Sequence, residues 1–145
     1  MARTSTYLNF MGKTEEAFGF YAAAFKTTFV GPIVRFGELP ACDGSELRDD
    51  EKEKVLHVEL PITGGHILMG TDALESMGHT VTFGNNVSIN LEPDTRAEAE
   101  RLVAALGEGG EVTMPLQDMF WGGYFGSLVD RYGVRWMLNC AEPRA

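Results

Sequence analysis

Apolar and polar residues alternate along this chain with two periods, and the two periods succeed each other in the same order twice. Residues 4–10 read as a strand, with Tyr7 and Leu8 apolar and Asn9 polar, closed by Gly12-Lys13-Thr14. Thr14 is the expected N-cap of a helix running to about Lys26. Within that helix Ala17, Phe18, Tyr21, Ala24 and Phe25 recur at spacings of three and four and form one apolar stripe. Glu15 and Glu16 in its first turn suit the positive end of the helix dipole. Residues 27–36 are β-rich, with Pro32 pointing to an edge or a bulge. Residues 37–54 are polar and crowded with turn formers, a long connection that is either a solvated hairpin loop or a mobile lid. Residues 55–62 alternate as a strand, Gly64-Gly65 turns the chain, and residues 66–70 return.

After a linker the order repeats. Residues 86–91 read as a strand, and Thr95 with Glu98 matches the capping box S/T-x-x-E. Ala99, Leu102, Val103 and Leu106 make the second helical stripe, which Gly109-Gly110 ends. Residues 111–116 form a strand. Residues 124–129 and 134–140 form a closing hairpin around Asp130-Arg131-Tyr132-Gly133, where Gly133 can take the positive φ that a tight turn needs. Both halves therefore read strand, helix, strand, strand, strand: an α+β chain of tandem βαβββ modules at 1–72 and 85–145 joined by a linker at 73–84. Asn9 and Asn90 lie 81 positions apart, as do Thr14 and Thr95. Gly64 and Gly133 lie 69 apart, as do Leu68 and Met137. Each module is too small to bury its own sheet, so the two are expected to share a core.

In this arrangement YLNFMGKTEEAFGFY, HVELPITGGHILMGTD and MPLQDMFWGGYFGSLVDRYGVRWMLNC resemble the vicinal oxygen chelate superfamily of glyoxalase I, extradiol dioxygenases and bleomycin-resistance proteins. More narrowly, they resemble its PhnB-like branch. The resemblance implies curved mixed sheets enclosing a cleft, helices on the convex face, a small organic molecule bound between modules, and a homodimer. Members of this branch often carry a demethylubiquinone methyltransferase label. The sequence has no Gly-rich strand-turn-helix for a nucleoside cofactor.

Composition narrows the partners. In 145 residues the formal charge is −9, which argues against nucleic acid, whose phosphates demand clustered Lys and Arg. No apolar run approaches the roughly 20 residues that cross a bilayer, and the first ten residues lack the apolar core of a secretory signal. Cys42 and Cys140 sit in no metal or redox spacing. Both are expected to stay reduced in a cytoplasm.

Metal-using members of the superfamily take His, Gln or Glu ligands from the first and last strand of each module. Carried over, those positions fall on Thr6, Leu68, Asn86 and Met137, so no metal and no other cofactor is expected. His57 and Glu59 lie on one strand face. A His bonded to a carboxylate has its tautomer fixed and its basicity raised, which suits general-base work. With His66 across the hairpin, His57 and Glu59 could also form an unorthodox metal-ligand set, the plain alternative being that His57 and Glu59 are a polar pair lining a cleft or a dimer surface. Arg35 is a candidate for an anionic ligand group, and Phe120, Trp121 and Tyr124 for a stacking surface for a planar or cationic ligand, with Gln117 and Asp118 before them reaching the same cleft mouth. Each also has a plain reading as packing or surface charge. Two readings of function stay open: a binding protein for a small organic molecule, or an enzyme (metal-dependent, or using His57 and Glu59 as acid and base) acting on a small oxygenated metabolite. A purely structural dimer needs neither.

Overall fold

A computed structural model describes residues 1–39 and 47–145. Cys42 and the middle of the expected 37–54 loop lie outside the described residues. The chain forms two units, Met1–Thr82 and Phe83–Ala145, each with its own four-stranded sheet and helix.

The first unit contains β1 (Thr6–Phe10), α1 (Thr14–Phe25), β2 (Val34–Arg35), a short α2 (Asp49–Lys52), β3 (Val55–Pro61) and β4 (Ile67–Asp72). Its sheet runs β1-β4-β3-β2, with β1 and β4 parallel and the other pairs antiparallel. The expected helical stripe is the buried face of α1: Ala17, Phe18, Tyr21 and Ala24 pack with Val58, Leu60 and Leu68. Gly70 leaves room for the Phe18 ring, which would stand 2.5 Å from a Cβ there. The N-terminus of α1 is satisfied from a distance. Asp72 Oδ1 accepts from the Thr14 backbone N–H at 3.1 Å and from its hydroxyl at 2.7 Å. The helix ends at Lys26 in the left-handed region (φ 52°), with Thr27 N–H donating to Ala22 O at 3.0 Å. The β-rich stretch 27–36 yields only Val34–Arg35 as strand. Gly31 (φ 73°) turns the chain, Pro32 brings no N–H, and the Val30 N–H to Glu59 O bond reaches β3 without extending the strand.

The second unit contains β5 (Ile89–Leu91), α3 (Arg96–Gly107), β6 (Glu111–Asp118), β7 (Tyr124–Val129) and β8 (Arg135–Cys140), in the order β5-β8-β7-β6. This repeats the first unit's topology, including the parallel pairing of its first and last strands. Thr95 caps α3 by accepting from Glu98 N–H at 3.1 Å. The Glu98 carboxylate also accepts from Arg101 at 2.8 and 2.6 Å. Trp136 is fully buried and donates from Nε1 to Asp130 Oδ2 at 2.8 Å.

Ladder register corrects the expected offsets. Ile62 N–H donates to His66 O, and Asp130 N–H donates to Val134 O, so the hairpins differ by 68 positions, not 69. Leu68 therefore corresponds to Trp136, both buried against a helix, while Met137 corresponds to Met69. Tyr7 lies beside Met69 and Asn90 beside Met137, which makes Asn90 the counterpart of Tyr7 rather than of Asn9. A one-residue slip reverses every face assignment in a strand, which is why the register matters for the site.

Candidate functional site

Strand alternation gathers the first unit's half-exposed polar groups on the sheet face away from α1. Along β3, Val58 and Leu60 turn inward, and His57 and Glu59 turn outward. Met69 on β4 stands between Tyr7 of β1 and Glu59 of β3 in the two ladders. Tyr7 is thereby brought within reach of His57: its hydroxyl lies 3.1 Å from His57 Nδ1, with the rings 5.7 Å apart and tilted by 36°. His57 Nε2 lies 3.2 Å from Glu59 Oε1.

Chemistry fixes the direction of these bonds. An ionised carboxylate only accepts, so His57 Nε2 donates; Nδ1 of the neutral ring is then an acceptor and the Tyr7 hydroxyl its donor. Arg3 reaches the same Glu59 oxygen at 3.7 Å. Burial pushes the Tyr7 phenol above its ordinary range; the Thr71 hydroxyl opposes that shift and the Glu59 charge adds to it. Asn9 and Thr71, the next outward positions along β1 and β4, line an open cleft of about 750 Å³ with Phe36, Met77 and His79; Tyr7, His57 and Glu59 lie next to that lining rather than in it.

The other expected residues are placed differently. His66 does not join His57 and Glu59; its Nε2 bonds to Thr6 Oγ1 at 2.8 Å. Arg35 is held by both oxygens of Glu15 at 2.9 Å and by Glu53 O at 2.8 Å. Its guanidinium is thus already occupied beside a polar cleft of about 550 Å³. In the second unit Gln117 is an exposed residue of edge strand β6. Trp121 stacks edge-on against Phe120 and Phe125, at 5.1 and 6.0 Å. Tyr124 takes no part in that cluster. Its ring lies under Arg96 (4.3 Å) and its hydroxyl donates to Glu100 at 3.0 Å, so it belongs with α3. Arg96 also pairs with Asp118.

The positions implied for a metal do not fit a divalent ion. Leu68 is buried toward α1 and Met137 carries no hard donor, while the Thr6 hydroxyl is engaged by His66. Asn86 is exposed and precedes β5, and the ladder makes Ile89 the counterpart of Thr6. Among the described residues no three His, Cys, Asp or Glu side chains are grouped to hold a metal ion, and no helix is long and apolar enough to cross a membrane.

Sequence reasoning missed Tyr7 and Arg3. Tyr7 reads with Leu8 as an apolar strand residue, yet it shares Asn9's outward parity. That parity was the available signal.

Comparison with known proteins agrees with this architecture. A family model described as 3-demethylubiquinone-9 3-methyltransferase matches residues 2–139. The crystal structure of PA1353 from Pseudomonas aeruginosa is 38% identical, covers 97% of this chain and 98% of its own, and superposes with a TM-score of 0.82. A PhnB protein from Bacillus cereus, described with the same methyltransferase name, is 29% identical over 97% of this chain and 100% of its own, with a TM-score of 0.75. Protein YjdN of Escherichia coli K12 is 30% identical across 97% of this chain and 96% of its own length.

Proposed function

The chain belongs to the 3-demethylubiquinone-9 3-methyltransferase family, the PhnB-like branch of the vicinal oxygen chelate superfamily, and from that premise we propose that it binds a small organic molecule without the superfamily's metal. The site is the outward face of the first unit's sheet. The observation that carries this reading is the Tyr7–His57–Glu59 chain: three polar side chains linked to one another, left partly open, beside a cleft of small-molecule size. A chain of this kind serving only the fold would be expected in the core. Here His57 keeps 36% of its side chain exposed. Methyl transfer, which the family description names, is not part of the proposal.

A second reading, an acid–base enzyme acting on a small oxygenated metabolite, is favoured by the same His57–Glu59 bond, because that pair can accept and return a proton. Pairing of two copies belongs to either reading. It is supported by the exposed Phe120 and by the long exposed edge strand β6.

The test is a thermal-shift screen of the protein and its His57→Ala and Tyr7→Phe variants against α-keto acids, thiols, phenols and planar antibiotics, with and without divalent ions. Ligands that bind the folded state raise its melting temperature. Compounds that stabilise the native chain and lose that effect in the variants support the site. Hits that stabilise all three proteins equally, or only when a divalent ion is added, overturn it.

A further inference from the structure

We propose that Tyr7 is the residue that meets the bound molecule and takes a proton from it through His57 and Glu59, which makes the ligand a weak organic acid with an ionisable O–H, S–H or activated C–H group. This rests on the site described above and names its ligand class. The Tyr7 hydroxyl spends its own hydrogen on His57 Nδ1 at 3.1 Å, so its phenolic oxygen, which the Thr71 hydroxyl also approaches, can act toward a ligand only as an acceptor. Tyr7 is 47% exposed, so that acceptor is reachable. A donor seated there continues a line of bonds in one direction: ligand X–H to Tyr7 Oη, Tyr7 O–H to His57 Nδ1, His57 Nε2–H to Glu59 Oε1.

Proton transfer along that line balances. The X–H bond breaks, its electron pair stays on X, and the proton bonds to Tyr7 Oη. The Tyr7 O–H bond breaks and its proton bonds to His57 Nδ1. The resulting imidazolium faces the Glu59 carboxylate at 3.2 Å. Release of the ligand's conjugate acid reverses both steps, and no oxidant or co-reactant is involved. The charged groups around the line are Glu59, with Arg3 3.7 Å from its oxygen. The neighbours on β4, Met69 and Thr71, are neutral, and Arg35 on β2 is committed to Glu15. Tyr7 is the contacting residue; His57 and Glu59 are positioning residues that act through it.

The duplicated fold supplies an internal comparison. By ladder register the second unit places Asn90 where the first has Tyr7, Phe125 where it has His57 and Ser127 where it has Glu59. The same sheet face there carries no proton acceptor chain, so the relay is not a by-product of the topology.

The probe is 4-nitrophenol, whose anion absorbs visible light, with 4-nitroanisole as a neutral analogue, added to the full chain at a pH equal to the probe's own pKa. Equilibrium dialysis measures binding and absorbance measures ionisation. The expected result is a ratio of ionised to neutral probe about tenfold higher for bound than for free probe, equivalent to roughly one pKa unit. Tyr7→Phe should bind 4-nitrophenol more weakly than the native chain does and leave it un-ionised, and Glu59→Gln should reduce the ionisation. Nitrophenol that binds as the neutral phenol overturns the relay and leaves the binding site standing. Failure of both compounds to bind overturns the ligand class and counts against the site. Nitrogen-15 NMR of the native protein gives an independent check: His57 should be protonated on Nε2, and an Nδ1–H tautomer overturns the relay.

Discussion

Asp72, the last residue of β4, holds Thr14, the first residue of α1, by two hydrogen bonds to one carboxylate oxygen, and its other oxygen accepts from Val55 N–H at 2.9 Å. One buried side chain thus ties the helix start to the beginning of β3. Asp72→Ala leaves three donors buried without their partner, and the expected loss is about 3 kcal/mol of unfolding free energy. Urea denaturation checks it. Thr14→Ser, which keeps the hydroxyl, should cost much less.

Two glycines are required by packing rather than by backbone conformation. A Cβ on Gly70 meets the edge of the Phe18 ring, which can shift; a Cβ on Gly110 runs into the Val129 carbonyl and the Asp130 backbone, which cannot. Gly70→Ala should therefore cost about 1–3 kcal/mol, the usual range for overpacking. Gly110→Ala should cost clearly more, read as the difference between their denaturation midpoints.

The duplication and the βαβββ order were legible because each element carries its own period, and the observed sheets repeat strand for strand. The exact register was not. Alternation states only which residues share a face, and the length of a turn decides which strand positions correspond. Reading Gly64 against Gly133 slipped the hairpin by one and set Leu68 against Met137; the turn hydrogen bonds set Leu68 against Trp136. His57 with Glu59 could be read directly, since two residues apart on a strand means one face. Tyr7 could not be joined to them, because its approach to His57 depends on β4 pairing with both β1 and β3. The Asp72 cap was hidden for the same reason, its partner lying 58 residues away.

Acid should weaken the second unit through Asp118. The hydrogen bond from Arg96 lowers the Asp118 pKa below its ordinary 3.8, against an opposing effect of burial. A carboxyl whose folded pKa is depressed contributes stability that is present above its unfolded value and lost as pH falls through the folded one. The urea midpoint should therefore fall as pH drops below 3.8. In Arg96→Gln the starting midpoint is lower, since the ion pair to Asp118 and the hydrogen bond from Arg96 Nε to the Glu142 backbone carbonyl are gone, and the fall with acid is shallower. Parallel slopes in the two proteins would remove Asp118 as the cause.

His57 and Trp136 should respond oppositely to substitution, although both are aromatic donors bonded to a carboxylate at short range. His57 sits on the outward face with 36% of its side chain in solvent. Removing it as Ala exposes nothing that water cannot satisfy, so the cost should stay below about 1 kcal/mol. Trp136 is buried with 0% exposure, and its Nε1–H is bonded to Asp130, itself only 3% exposed. Trp136→Phe leaves Asp130 Oδ2 without that donor and opens space beside Leu138, for an expected loss of about 2–4 kcal/mol. Binding should reverse the order: His57→Ala abolishes the thermal shift given by a ligand of the native site, and Trp136→Phe, assayed below its lowered melting temperature, retains it. If His57→Ala costs several kcal/mol instead, that residue serves the fold, and the outward face of the first unit is not a ligand site.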